Sequence, residues 1–147
     1  MLAETAETLP AAPAPTREQI LQLERTLRAS PDQVDLPATH TFGPGFYART
    51  IQIPAGATLT GKVHATEHIF ILSRGEMLLA TEDGRLRVRA PFQCIARPGL
   101  KRAGHALTEC EVTNIHVTTE TDLDKLETAL IVPEAIEHEA PAAALEG

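Results

Sequence analysis

The residues best able to do chemistry lie in one run, Gly61-Lys62-Val63-His64-Ala65-Thr66-Glu67-His68-Ile69-Phe70-Ile71-Leu72-Ser73-Arg74-Gly75. Side chains of an extended chain alternate between two faces. His64, Thr66, His68, Phe70 and Leu72 are therefore expected on one face. Two imidazoles so placed can supply two ligands to one metal ion, or bracket one bound anion. His116 lies in a second β-rich run and shares a face with Val112 and Asn114. It is a candidate third ligand, and His105 is the other. A site of neutral imidazoles suits a divalent cation such as Zn, Fe, Mn or Ni, and ligand type alone does not choose among them.

The order His64-x-x-Glu67-His68 is also that of a zinc-peptidase motif carried on a helix. That chemistry needs both histidines one helical turn apart. Here the run follows Gly61 and enters Ile-Phe-Ile-Leu before Gly75, which reads as strand. The peptidase reading is set aside. Glu67 then falls on the opposite strand face unless a bulge intervenes. It remains a candidate acid or base, as does Tyr47 within a cavity. Arg49, Lys101, Arg102 and Asn114 are candidate contacts for an anionic substrate; rim salt bridges and backbone contacts are the plainer roles for the same residues.

Elements must position these groups. Residues 1–15 are rich in Ala and Pro and read as a disordered or polyproline-like arm. Thr16 and Gln19 have capping-box spacing, and Ile20, Leu23 and Leu27 share a helical face. Ser30-Pro31-Asp32 ends that helix, and residues 16–38 form helix and linker. From about residue 39 the texture becomes β. Runs at 46–53, 58–59, 67–72, 77–81, 85–88, 93–96 and 111–118 are separated by turn signals, Asp83-Gly84 the strongest. Many short strands of this kind imply a closed all-β architecture. Leu123, Leu126 and Leu130 return to helical spacing, with Pro133 closing that helix. Residues 39–132 are thus expected as a barrel with a C-terminal helix, and 133–147 as a mobile acidic tail.

The stretch from Pro54 to Gly75, with Pro98-Gly99 and a later His, resembles the cupin superfamily. That superfamily's first motif places His-x-His, then Glu, then Gly. Aligned on Gly75, His68 stands in the Glu position, His64 in that of the second His and Lys62 in that of the first. Arg97-Pro98-Gly99 resembles the start of the second motif, with His105 the nearest His after it. Residues 40–127 also resemble small single-domain cupin-like proteins of bacteriophages and prophages. That likeness rests on Phe46-Tyr47-Ala48-Arg49, the Gly61–Gly75 block, Pro98-Gly99-Leu100-Lys101-Arg102 and Thr121-Asp122-Leu123-Asp124-Lys125-Leu126-Glu127. The resemblance implies an all-β double-stranded β-helix, a jelly-roll barrel, with one N-terminal and one C-terminal helix, assembled as a homodimer.

Composition bounds the rest. The 147 residues suffice for one domain with a real core. Aromatic residues are 3% and Trp is absent, so a nucleic-acid partner read by base stacking is not expected. The net charge of −7 is uneven. Residues 39–118 carry nine bases and six acids, whereas 119–147 carry eight acids and one base. A mildly basic barrel would suit a small anionic molecule. Cys94 and Cys110 are too few for a disulfide framework and fit a reducing cytoplasm. No signal peptide or membrane span is read. The expectation is a small cupin binding a divalent metal and a small anionic molecule, its status as an enzyme open. The alternatives are a non-catalytic phage-type accessory, inhibitor or ligand-sequestering module, with protein partners met through the tails, and a structural phage assembly protein.

Overall fold

The computed structural model describes residues 6–9 and 13–132. In chain order the elements are β1 (Ala6–Thr8), α1 (Arg17–Ala29), β2 (Ala38–Gly43), β3 (Phe46–Ile53), β4 (Thr58–Thr60), β5 (Val63–His64) and β6 (His68–Arg74). They continue with β7 (Glu76–Thr81), β8 (Gly84–Arg89), β9 (Phe92–Ala96), β10 (Arg102–Ala106), β11 (Cys110–Val117), α2 (Leu123–Leu130) and β12 (Ile131–Val132). Two five-stranded antiparallel sheets face each other, in the orders β1-β8-β7-β10-β4 and β2-β3-β11-β6-β9. A short β12-β5 pair lies beside them. The expected all-β barrel with two helices is what the chain forms.

Alternation builds the interior. On β11, Cys110, Val112, Asn114 and His116 are buried while the residues between them are not. The same alternation on β3, β6 and β7 turns Ile51, Ile53, Phe70, Leu72, Met77 and Leu79 into the core, where Val88 and Phe92 join them. Asp83-Gly84 closes the expected hairpin, with Thr81 opposite Gly84. Gly75 turns the chain from β6 into β7 at φ +95°. A Cβ there would stand 2.2 Å from the Glu109 carbonyl oxygen, so both backbone conformation and space demand glycine.

Helix α1 begins with the expected capping box. Gln19 N–H donates to Thr16 Oγ1 at 3.1 Å, and Thr16 N–H donates to Gln19 Oε1 at 2.9 Å. Its buried face differs from the expected leucine stripe, because Ile20 and Glu24 are its buried residues. Glu24 Oε2 accepts from Lys101 Nζ at 2.6 Å and from Thr60 Oγ1 at 2.7 Å. Glu24 and Lys101 are both essentially inaccessible, at 1% and 0% exposure. The enclosed pair is supported by the Thr60 hydroxyl and by a second cation, Arg28, whose Nη2 stands 3.9 Å from Glu24 Oε1.

Several expectations are corrected. The N-terminal arm is not unstructured throughout, because residues 6–8 add a strand to β8, with Glu7 opposite Arg87. Short polar strands of this kind lack the hydrophobic run that announces a strand. Strands β2, β5, β10 and β12 were not anticipated. The single strand expected through His64 and Leu72 is broken at residues 65–67, so Thr66 is exposed rather than inward. The C-terminal helix ends at Leu130, before Pro133, because Ile131 and Val132 pair with β5. The expected acidic tail, 133–147, lies outside the described residues.

Lys101→Met should destabilise the fold by roughly 3–5 kcal/mol, because it takes the nearest cation from the buried Glu24 carboxylate. The triple replacement Glu24→Leu, Thr60→Val, Lys101→Met should recover most of that loss. Urea denaturation of the two variants checks both outcomes.

Candidate metal centre

Three imidazoles meet at one end of the barrel interior. His64 ends β5, His68 opens β6 and His116 lies near the end of β11. Their ring centroids are 4.4 Å (64–68), 4.8 Å (64–116) and 4.7 Å (68–116) apart. One ring nitrogen from each lies within 4.8 Å of the others. Ligand nitrogens about a tetrahedral zinc ion stand roughly 3.3 Å apart, given bonds of about 2.0–2.1 Å. Small ring movements would close that gap.

Local structure explains the convergence. β11 runs between β3 and β6, with Asn114 opposite Arg49 on one side and Phe70 on the other. His116 lies opposite Tyr47. The bend at 65–67 lets His64 approach from a different strand than His68. His64 is pinned through its backbone: its carbonyl accepts from Gly99 N–H at 3.0 Å, and the next amide, Ala65 N–H, donates to the Leu130 carbonyl at 2.6 Å. The Pro98-Gly99 turn and the end of α2 thus both hold it.

The electrostatics favour neutral rings. Burial, with help from the Arg102 and His116 charges, pushes the His68 pKa down to about 4. Contacts with the Thr66 carbonyl and Asn114 oppose that only in part. Burial also lowers His116. Neutral imidazoles present lone pairs, which is the form a metal binds. His68 Nδ1 sits 3.4 Å from the Thr66 carbonyl oxygen, a contact that favours N–H there and leaves Nε2 as the acceptor. His68 Nε2 and His116 Nδ1 are buried with no hydrogen-bond partner among the described residues. Leaving such atoms unsatisfied costs about 1–3 kcal/mol each, and a shared cation would satisfy them. The donor set therefore fits a divalent metal.

Beside the triad is a small cavity of about 50 Å³, lined by Tyr47, Arg49, Lys62, His64, Asn114 and His116 and roofed by leucines of α2. That is room for a coordinated water or the head of a small ligand. Leu126 and Leu130 pack on Tyr47 to form the roof. Tyr47 stacks towards His116, with centroids 6.3 Å apart, and its hydroxyl is 2.7 Å from His40 Nδ1. His40 is exposed on β2, and sequence reasoning gave it no part in the site. Its register opposite Arg49, two steps from Phe42 opposite Tyr47, was the signal, and it was invisible while β2 went unread.

Other candidates are placed elsewhere. His105 faces the outside of β10, because Arg102, Gly104 and Ala106 take the inner positions. Its Nδ1 is bonded to Thr58 Oγ1 at 2.7 Å, apart from the triad. Glu67 is exposed in the bend between β5 and β6, so it does not enter the cavity. The Lys101 ammonium is enclosed with Glu24 under α1, which removes it from contact with a small molecule. Arg102 projects between the sheets, with its guanidinium 4.4 Å above the Phe70 ring. Of the expected anion contacts, Arg49 and Asn114 line the triad cavity.

No protein-family model matches the chain, and no curated protein matches it in sequence. Solved structures do. KdgF from Halomonas sp. superposes with a TM-score of 0.53 at 13% identity, over 65% of this chain and 90% of that one. The Schizosaccharomyces pombe Cnp3 cupin domain gives 0.50 at 17% identity, over 69% and 71%. A salicylate 1,2-dioxygenase from Pseudaminobacter salicylatoxidans gives 0.52 at 12% identity. This chain covers 77% of its own length in that match but only 34% of the dioxygenase. Likenesses at these identities concern the fold.

Tyr47→Phe should remove the bond to His40 and keep the ring stack. A loss of about 1 kcal/mol in urea denaturation is expected, with the interior packing, read by near-ultraviolet circular dichroism, retained.

Proposed function

We propose that this cupin-fold chain holds a divalent cation on His64, His68 and His116 and receives a small anionic molecule beside it. The observation that carries the proposal is the burial of three imidazoles whose ring nitrogens converge within 4.8 Å. Three protein ligands leave a position for water or substrate, the arrangement of catalytic rather than structural sites. A metal there would act as a Lewis acid, or as a redox centre if it were iron or manganese.

The chain's own residues have definable tasks in this reading. The Thr66 carbonyl orients His68. Asn114 lies between the triad and Phe70 and presents its amide to both the cavity and His68. Arg49 and Lys62 supply positive charge where an anion would enter. Tyr47 bonds to His40, which reaches solvent, and so links the cavity to bulk water through two groups able to donate and accept protons. The α2 leucines exclude water from above.

A second reading is a module that sequesters its ligand without chemistry. It is favoured by the absence of any carboxylate from the triad cavity's lining among the described residues. The two readings part on whether a bound small molecule is recovered unchanged.

Protein purified without a metal-chelating tag should carry, or take up from zinc, iron, manganese or nickel solutions, about one ion per chain by elemental analysis. His64→Ala, His68→Ala and His116→Ala should each lower occupancy at least ten-fold, and His105→Ala should leave it intact. Folded wild-type protein that takes up none of these ions would overturn the proposal.

A further inference from the structure

A second cavity opens between the sheets, away from the roof of α2. It measures about 260 Å³ and shares no lining residue with the triad cavity. Leu79, Leu86, Ala96 and Leu100 give it apolar walls, and Phe70 and Arg102 form its inner end. Thr8 and Thr81 add hydroxyl groups.

Arg102 is the unusual member. It pairs with Thr81 across β10 and β7, and this register aims its side chain inward. Its guanidinium lies on the Phe70 ring, yet no carboxylate or hydrogen-bond acceptor among the described residues meets it. Arg102 is only half-buried, whereas its neighbour Lys101 is fully enclosed and has Glu24. Enclosure pulls the Arg102 pKa down to about 10, so the group is still charged at neutral pH. An inward-facing guanidinium with no counter-ion is open to any anion that reaches it through the cavity. The one carboxylate in the lining, Asp83, is exposed at the mouth and held by both Arg97 Nε and Nη2 at 2.9 Å. It cannot neutralise Arg102. Arg85, also exposed at the mouth, adds positive charge at the entrance.

We infer that this inter-sheet cavity binds a small carboxylate with an apolar body, its carboxylate seated on the Arg102 guanidinium above Phe70. A guanidinium fork matches a carboxylate with two parallel hydrogen bonds. One guanidinium balances one negative charge, which favours a monocarboxylate over a phosphate dianion. The aliphatic walls favour a hydrocarbon body, and the cavity lies just below the ~300 Å³ at which pockets begin to accept drug-sized ligands. The inference rests on the reading of this barrel as a small-molecule module, and it deepens that reading by naming the ligand's chemistry. It needs no metal.

The test uses the full chain after metal removal. Calorimetric titration with benzoate and hexanoate is compared with benzyl alcohol, hexanol and inorganic phosphate. At least one carboxylate should bind, its alcohol at least ten-fold more weakly, and phosphate no better than the alcohol. Arg102→Met keeps the side chain's length without its charge. It should lose carboxylate binding at least ten-fold while its melting temperature stays the same or rises, since a partly desolvated charge without a counter-ion has gone. Should that variant fail to fold, Leu86→Trp fills the cavity and leaves the guanidinium in place, and it should lose binding equally. Absence of carboxylate binding, equal binding of the alcohols, preference for phosphate, or wild-type affinity in a folded variant would each overturn the inference. Metal uptake measured on the same preparations separates its failure from that of the triad: metal without carboxylate sinks this inference alone, and carboxylate without metal sinks only the metal proposal.

Discussion

Strand β11 runs between β3 and β6, and its register sets what the interior can contain. Val112 lies opposite both Ile51 and Leu72, and Asn114 opposite Arg49 and Phe70. One step further, His116 meets Tyr47 on β3 and the His68 ring on β6. A slip of one residue would send Ile115 and Val117 inward and both polar groups out. The register is defended at the other end of the strand. A bulge at Glu111/Val112 absorbs the turn into Gly75, while Glu111 accepts from Ser73 Oγ at 2.6 Å and from Gln52 Nε2 at 2.8 Å. These ties also hold the Glu111 carboxyl below its ordinary range, Ser73 contributing most. Apolar packing below and polar ties at the bulge together place the imidazoles.

The same period of two sorts charge. Lys101 and Arg102 are adjacent, yet one ammonium ends under α1 and one guanidinium between the sheets. The first is neutralised by a helix that brings Glu24 to it, and the helix is docked in return. The second faces Phe70 and a cavity. The two cations thus receive opposite treatment, because Glu24 of α1 meets Lys101 while no carboxylate among the described residues pairs with Arg102. The outer pairs, such as Arg87 with Glu76 at 2.5 Å, reach solvent and add little to stability.

Much of this was legible in the chain, and the exceptions have physical causes. The barrel followed from strand runs and turn residues, and the Thr16/Gln19 cap from spacing alone. His64 and His68 were legible as a pair, but their common face was argued from one continuous strand. They share it across a bend, with Thr66 turned out. His116 was legible as inward by its parity with Val112 and Asn114. Choosing it over His105 required knowing that β10 exists, and Arg102-Ala-Gly-His-Ala carries no strand signal. Glu24 was unreadable as a core residue, because a lone acid on a helix is ordinarily solvated. Partners distant in sequence, Lys101 and Thr60, make its burial tolerable. His40 was lost with β2, an exposed edge strand whose pattern has no apolar alternation.

The departure from the resembled pattern, His68 where a glutamate is usual, has a consequence for charge. A carboxylate ligand would cancel part of a divalent ion's charge; three neutral rings cancel none. Their neutrality is secured by burial and, for His68, by the nearby guanidinium. The triad's cavity is lined by Arg49 and Lys62 and the second cavity by Arg102, while the carboxylate in the second lining, Asp83, is held at the mouth by Arg97. Both linings thus carry positive side chains, and a divalent cation on the triad would tip the balance further. In a low-dielectric enclosure that imbalance is worth far more than the same charges in water. In the proposed function a bound anion would relieve it, and metal and anion would each lower the cost of keeping the other.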